Sequence, residues 1–205
     1  MGNVGSILTI GHSTHLLETF VGLLHRYQVT VVADVRSVPY SQFQPQFNRE
    51  SLKESLKKEN IGYVFLGEEL GARSKDPLCY VDGKVQYREL AKTQLFQQGL
   101  QRLLKGRENH RIALMCAERE PLDCHRTLLV ARELVAKGVA VSHIHADGHL
   151  ETHQEAQARL LRIQHLLEQD LFRSPAEVLD EAYALQENRV AYVDGMMVKE
   201  DEGGQ

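Results

Sequence analysis

Arg111-Ile112-Ala113-Leu114-Met115-Cys116, then Ala117-Glu118-Arg119-Glu120-Pro121-Leu122-Asp123, then Cys124-His125-Arg126, is the stretch whose reading decides the fold. Its first part is a short apolar run with the composition of a buried strand. Its last part opens a helix that runs to Lys137 and is stopped by Gly138, after which Val139 to Ile144 forms another apolar run. The segment reads as strand, helix, strand. The same alternation continues toward the N-terminus. Ile7 to Ile10 is a strand closed by Gly11-His12-Ser13-Thr14, where Ser13 or Thr14 is placed to cap a helix carrying Leu16, Leu17, Phe20, Leu23 and Leu24 at helical spacing. Val29 to Val35 is a second strand, broken by Asp34 and Arg36 and ended by Pro39. A polar helix from about Arg49 to Lys58 leads to a third strand, Gly62 to Leu66.

Strands alternating with helices of this length specify an α/β class with a mostly parallel sheet of about five strands, covered on both faces. Right-handed crossovers leave a Rossmann-like or flavodoxin-like order as the leading choices. A 3-2-1-4-5 order would make the first and fourth strands neighbours and bring His12 close to Cys116. Gly67 to Gly83 has no periodicity and is long for a connection, as binding loops and lids are. A helix is expected over Val85 to Lys105. After His149 the pattern is helical only, and Ser174-Pro175-Ala176-Glu177 is a helix start with Pro in the first turn and Glu placed to reach back. The expected organisation is a domain over residues 1–153, a helical extension packed on it over 154–198, and a polar, disordered tail over 199–205.

Composition excludes several classes. A chain of 205 residues with 42% hydrophobic and 25% charged residues is an ordinary globular protein. A net charge of −4 argues against a surface that is basic throughout, although the 24 Lys and Arg can still form a local basic groove. No apolar stretch approaches the ~20 residues that span a bilayer, and no signal-peptide pattern is present. Three cysteines, Cys79, Cys116 and Cys124, are too few for a disulfide scaffold, so a cytoplasmic location is expected.

Ligands of open parallel sheets bind beyond the C-terminal ends of the strands. The polar residues there are Gly11-His12-Ser13, Asp34-Val35-Arg36, Cys116-Ala117-Glu118 and His143 to Asp147. Asp123 is a natural N-cap, which would place Cys124, His125 and Arg126 in the first helical turn. A thiol there feels the positive helix end and ionises more readily. A guanidinium there needs an anion, either the Glu118 carboxylate or a bound phosphate or carboxylate. The expected catalytic set is Cys116, Glu118, Cys124, His125 and His12, and the expected substrate-binding set is Ser13, Asp34, Arg36 and Arg126.

Spacing removes other chemistries. Six positions after Cys116 stands Leu122, so the Arg-bearing loop of cysteine phosphatases is absent. The first strand turn lacks the glycines of a dinucleotide fingerprint, and no phosphate-loop lysine exists. Cys116-Ala117-Glu118-Arg119 is similar to a cytidine deaminase zinc motif, but this Cys ends a strand and only one further Cys follows. His149 and His153, four apart, are the candidate metal pair. No cofactor and no obligatory metal are expected.

Taken together, Ile10-Gly11-His12-Ser13, Asp34-Val35-Arg36 with Pro39 and Ser41, Leu70-Gly71, Met115-Cys116-Ala117-Glu118, Cys124-His125-Arg126 and His143-Ile144 resemble the family called domain of unknown function 488. The match runs from about Ile7 to His153. The resemblance implies a Rossmann-like α/β domain of bacterial or archaeal cytoplasm and supplies no established activity. From the residues themselves, the expected function is a cysteine-dependent enzyme acting on a small anionic or nucleotide-like substrate. Cys124 or Cys116 would be the nucleophile or redox thiol, His125 or His12 the proton carrier, and Arg36 and Arg126 the anion clamp. The alternative is a non-catalytic nucleotide or nucleic-acid binding module, with Arg36, Arg73 and Arg126 on phosphates and Phe43 or Phe47 stacked on bases. No membrane partner is expected, and the oligomeric state is left open.

Overall fold

Alternating side chains along each strand sort the apolar residues to two sides of one sheet. In the computed structural model, which describes residues 5–166 and 172–197, the chain order is as follows. β1 (Ile7–Gly11), α1 (Leu17–Arg26), β2 (Val31–Asp34), α2 (Arg49–Lys58) and β3 (Gly62–Phe65) come first. A short α3 (Gly67–Leu70), a hairpin of β4 (Tyr80–Val81) and β5 (Lys84–Val85), then α4 (Tyr87–Lys92) and α5 (Gln94–Gly106) follow. β6 (Ile112–Cys116) leads to a π-helical turn, Arg126–Ala131, that runs on into α6 (Arg132–Ala136). β7 (Val141–Ile144), β8 (Leu150–Thr152), α7 (His153–Ile163) and α8 (Pro175–Val190) complete the chain.

The main sheet has the order β3-β2-β6-β1-β7-β8. Its first five strands are parallel and β8 pairs antiparallel with β7. The α/β class, the parallel sheet and the adjacency of the first and fourth sequence strands therefore hold. The 3-2-1-4-5 order does not: the strand at Ile112–Cys116 inserts between β1 and β2, where the two pair with it in register at Gly11↔Cys116 and Asp34↔Met115. The β1-to-β2 connection skips one position, and β6 fills it. Along β6, Ala113 and Met115 face a core shared with α1 and α2, whereas Ile112, Leu114 and Cys116 face a core shared with α5, the π-helical turn, α7 and α8. Such strict alternation in a strand buried on both faces is why its composition reads as a continuous apolar run.

Several local expectations are corrected. Ser13 caps nothing; it sits at φ 45°, and α1 begins only at Leu17, behind an exposed Leu16. The helix expected over Val85 to Lys105 is two helices, because the Thr93 side chain accepts from Phe96 N–H and starts α5 afresh. A strand, β8, precedes the C-terminal helices. The Ser174 start of α8 is a complete capping box with Glu177, as its sequence specifies. The α8 residues Val178, Ala182 and Tyr183 join the same apolar cluster as Leu114. The tail expected over 199–205 lies outside the described residues. Among the described residues, no helix is long and apolar enough to cross a membrane.

Candidate functional site

The site is built where the chain leaves β6. Its loop crosses the end of β1 so closely that a Cβ on Gly11 would lie 1.9 Å from the Glu118 carbonyl oxygen. Only a residue without a side chain permits that approach. Arg126 holds the loop from the other side. It is fully buried, and its two terminal nitrogens donate to the carbonyls of Glu118 (2.7 Å) and Arg119 (3.3 Å), while its Nε has no partner among the described residues. The expected pairing with the Glu118 carboxylate is thus replaced by backbone carbonyls of the same loop, and Arg126 does not line the cavity below.

Asp123 is not the helix cap either. It ends a 3₁₀ turn, Pro121–Asp123, and its carboxylate accepts from Gln186 and Arg189 of α8. The cap role falls to Cys124, whose backbone is extended, whose carbonyl accepts from Thr127 and Leu128, and whose sulfur accepts from Arg126 N–H at 3.5 Å. A sulfur two positions before the turn thus still meets one of its open N–H groups.

Cys116, Cys124 and His125 converge. Each sulfur lies 3.8 Å from His125 Nδ1, and the three potential ligand atoms all lie within 4.8 Å of one another. His125 Nε2 donates to the Val35 carbonyl at 3.0 Å, which leaves Nδ1 facing the sulfurs. Cys124 Sγ also contacts Glu118 Oε2 at 3.0 Å. Burial alone would push the Cys124 thiol up. A hydrogen bond from Cys116, the Arg126 charge and the His125 imidazole outweigh it and hold Cys124 well below the usual thiol range. Cys116 is displaced well upward, by burial first and then by its neighbour Cys124. Burial works against a charged His125, but the Cys124 sulfur and then Glu118 raise it overall. Burial and the Cys124 sulfur also raise Glu118, although this side chain reaches cavity solvent, which moderates the effect.

The other expected residues divide. His12 stacks on Phe47 with centroids 4.4 Å apart, donates from Nδ1 to Ser13 O, and accepts from Arg36 at Nε2. Burial and the Arg36 charge lower its pKa to about 4. With both nitrogens engaged, it is a poor proton carrier. Asp34 is fully buried and holds Arg36 through Nε (2.9 Å) and a terminal nitrogen (2.6 Å), with Tyr63 O–H as a further donor. Arg36 lines the cavity with its charge already paired; Ser13 and Asp34 do not line it. His149 is exposed beside His145, whereas His153 is buried between His143 and Tyr183, so the candidate metal pair is not brought together.

The model of the family described as "Domain of unknown function DUF488" matches residues 16–132, over half of the chain. The chain belongs to this family. No curated protein and no solved structure matches it. The DUF488 match covers Asp34, Arg36 and the whole Cys116–Arg126 segment; it leaves out Gly11-His12-Ser13 and His143, and so is narrower than the Ile7 to His153 span read from the motifs.

In this DUF488 chain the cluster forms the floor of a cavity of about 530 Å³ at the C-terminal edge of the sheet. Its walls include residues the sequence reading passed over: Ser37, Tyr40, Tyr87 and Tyr192. Tyr192 follows α8, well beyond the family match, and stacks under the exposed guanidinium of Arg73 at 4.5 Å. Only the long Gly67 to Gly83 connection hinted at this wall, through Arg73.

Proposed function

We propose that the protein is a cysteine-dependent enzyme acting on a small anionic substrate. The observation that carries this reading is the convergence of two sulfurs, an imidazole and a carboxyl group on the floor of one cavity. A structural packing role would need none of them to face a cavity, and buried cysteines usually meet apolar neighbours. Among the described residues that line the cavity, Arg73 is the cation left for a ligand, because Arg36 is paired with Asp34 and Arg126 is committed to carbonyls outside it. Hydroxyls of Ser37, Tyr40 and Ser41 stand along the same walls as further donors. The binding-module alternative needs Arg36, Arg73 and Arg126 to be presented together to phosphates, and two of the three are engaged internally.

Thermal melts across series of inorganic phosphate, mononucleotides and small carboxylates test this reading. The expected result is stabilisation that follows mass action in the wild type and is lost in Arg73→Met. Turnover of a compound that binds should then vanish in Cys124→Ser and persist in Cys79→Ser. Binding without turnover of any of them would reduce the protein to a binding module, and no stabilisation by any anion would defeat the substrate class.

A further inference from the structure

We infer that Cys116, Cys124 and His125 form a three-ligand site for a zinc-type divalent ion, with the fourth position open to the cavity. This rests on the reading of the cluster as the reacting centre and assigns the cysteines there as ligands and not as nucleophiles.

Zinc binds sulfur at ~2.3 Å and imidazole nitrogen at ~2.0–2.1 Å in tetrahedral geometry, which sets S···N separations of about 3.6 Å and S···S separations of about 3.8 Å. The two S···Nδ1 separations here are 3.8 Å, and no pair of the three atoms is more than 4.8 Å apart. An ion at their centre needs the S···N separations to close by tenths of an ångström and the sulfurs to approach by about 1 Å at most. A thiol–imidazole hydrogen bond explains one such contact but not two sulfurs placed equally about one lone pair. The outer partners agree as well. The Val35 carbonyl accepts from Nε2, the arrangement by which a ligating histidine is oriented, and a backbone N–H reaches Cys124 Sγ. The ligands come from different elements: Cys116 from the end of β6, Cys124 and His125 from the start of the helical run. A preformed three-ligand set on one side, with cavity on the other, is the layout of catalytic and not structural zinc sites.

Soft thiolates and imidazole select zinc, or cobalt in its place, over magnesium and calcium, whose ligands are oxygens. Glu118, an exposed residue, places its carboxyl group 3.0 Å from Cys124 Sγ, beside the open position. A water held there is the natural donor to that carboxylate: one O–H bond breaks, Glu118 gains the proton, and the hydroxide stays on the ion.

The test uses the whole chain under a thiol-free reductant, stripped with chelator and titrated with Co²⁺ and then Zn²⁺ alone. The expected result is a 1:1 cobalt complex with thiolate-to-metal charge-transfer absorption and a tetrahedral visible spectrum, displaced by zinc. Cys116→Ser, Cys124→Ser and His125→Ala should each weaken binding at least ~10-fold, Cys79→Ser should not, and Glu118→Gln should keep the ion. As a check free of folding defects in the variants, zinc should protect Cys116 and Cys124 of the wild type from alkylation. No charge-transfer band with excess cobalt, or a cobalt affinity and band intensity unchanged in Cys124→Ser, overturns the site; loss of the ion in Glu118→Gln overturns the open fourth position. If no ion binds but turnover continues in chelator, the metal site fails and the enzyme reading stands. If the ion binds at 1:1 and no compound that binds is turned over, the metal site stands and the enzyme reading fails.

Discussion

Replacing Arg126 by methionine removes a buried cation whose partners are two carbonyl oxygens of the loop that carries Glu118. The shorter contact, 2.7 Å to Glu118 O, is a hydrogen bond from a charged donor, a kind that contributes ~1.5–3 kcal/mol. The longer one, 3.3 Å to Arg119 O, adds ~0.5–1.5 kcal/mol. Against them stands relief from burying a charge with no carboxylate beside it, and methionine fills part of the vacated volume. The net loss should be about 2–3 kcal/mol. For a chain of this size that lowers the melting temperature by roughly 4–12 °C. The loss should be equal with and without phosphate, because the guanidinium faces the loop and not the cavity. Paired thermal melts of wild type and Arg126→Met over a phosphate series measure both quantities. A wild-type gain in phosphate that disappears only in Arg126→Met would show that Arg126 contacts the ligand, and the loop-staple account would be wrong.

Gly11→Ala should be destabilising by about 1–3 kcal/mol as the Glu118 carbonyl is forced away, whereas Gly22→Ala, whose new Cβ meets nothing within 4 Å, should gain up to about 1 kcal/mol from helix propensity; urea denaturation of the two separates close approach from chain entropy, and equal effects would remove the steric argument. His12 and His153 are both lowered to about 4, first by burial. The unfolded chain therefore binds more protons below pH ~6.5, and stability falls as pH drops from there toward about 4, by about 2 kcal/mol per imidazole at pH 5. Stability that stays flat between pH 7 and pH 5 would contradict this, and His153→Gln should reduce the slope.

What the sequence made legible was local. The β6 run, the strand ends and the α8 capping box each depend on a few adjacent residues, and each stands where composition and periodicity put it. The strand order was not legible, because nothing in Ile112 to Cys116 says whether that strand joins the edge of β1 or enters between β1 and β2. Arg126 shows a different limit. Its place near a positive helix end rightly signals a need for negative charge, but carbonyl oxygens of its own loop meet that need, and carbonyls carry no sequence signature. Tyr192 was illegible for a third reason: it reaches the cavity only because α8 docks through Gln186 on Leu122 O and Asp123, contacts across 64 and 63 residues.

The insertion of β6 between β1 and β2 is also what makes the cluster possible. Cys116 ends a strand flanked on one side by Gly11, whose missing side chain lets the loop fold back, and on the other by Val35, whose carbonyl aims His125. Had β6 lain on the outer side of β1, Val35 would be a strand away and the imidazole would lose the acceptor that fixes its tautomer. The loop of seven residues from Ala117 to Asp123 then returns the chain so that Cys124 faces Cys116. Arg126 and the α8 contacts to Asp123 fix that return from two directions. Sheet order, one glycine and the side-chain-to-backbone bonds of Arg126 and His125 thus convert cysteines eight positions apart into neighbours about a single imidazole nitrogen.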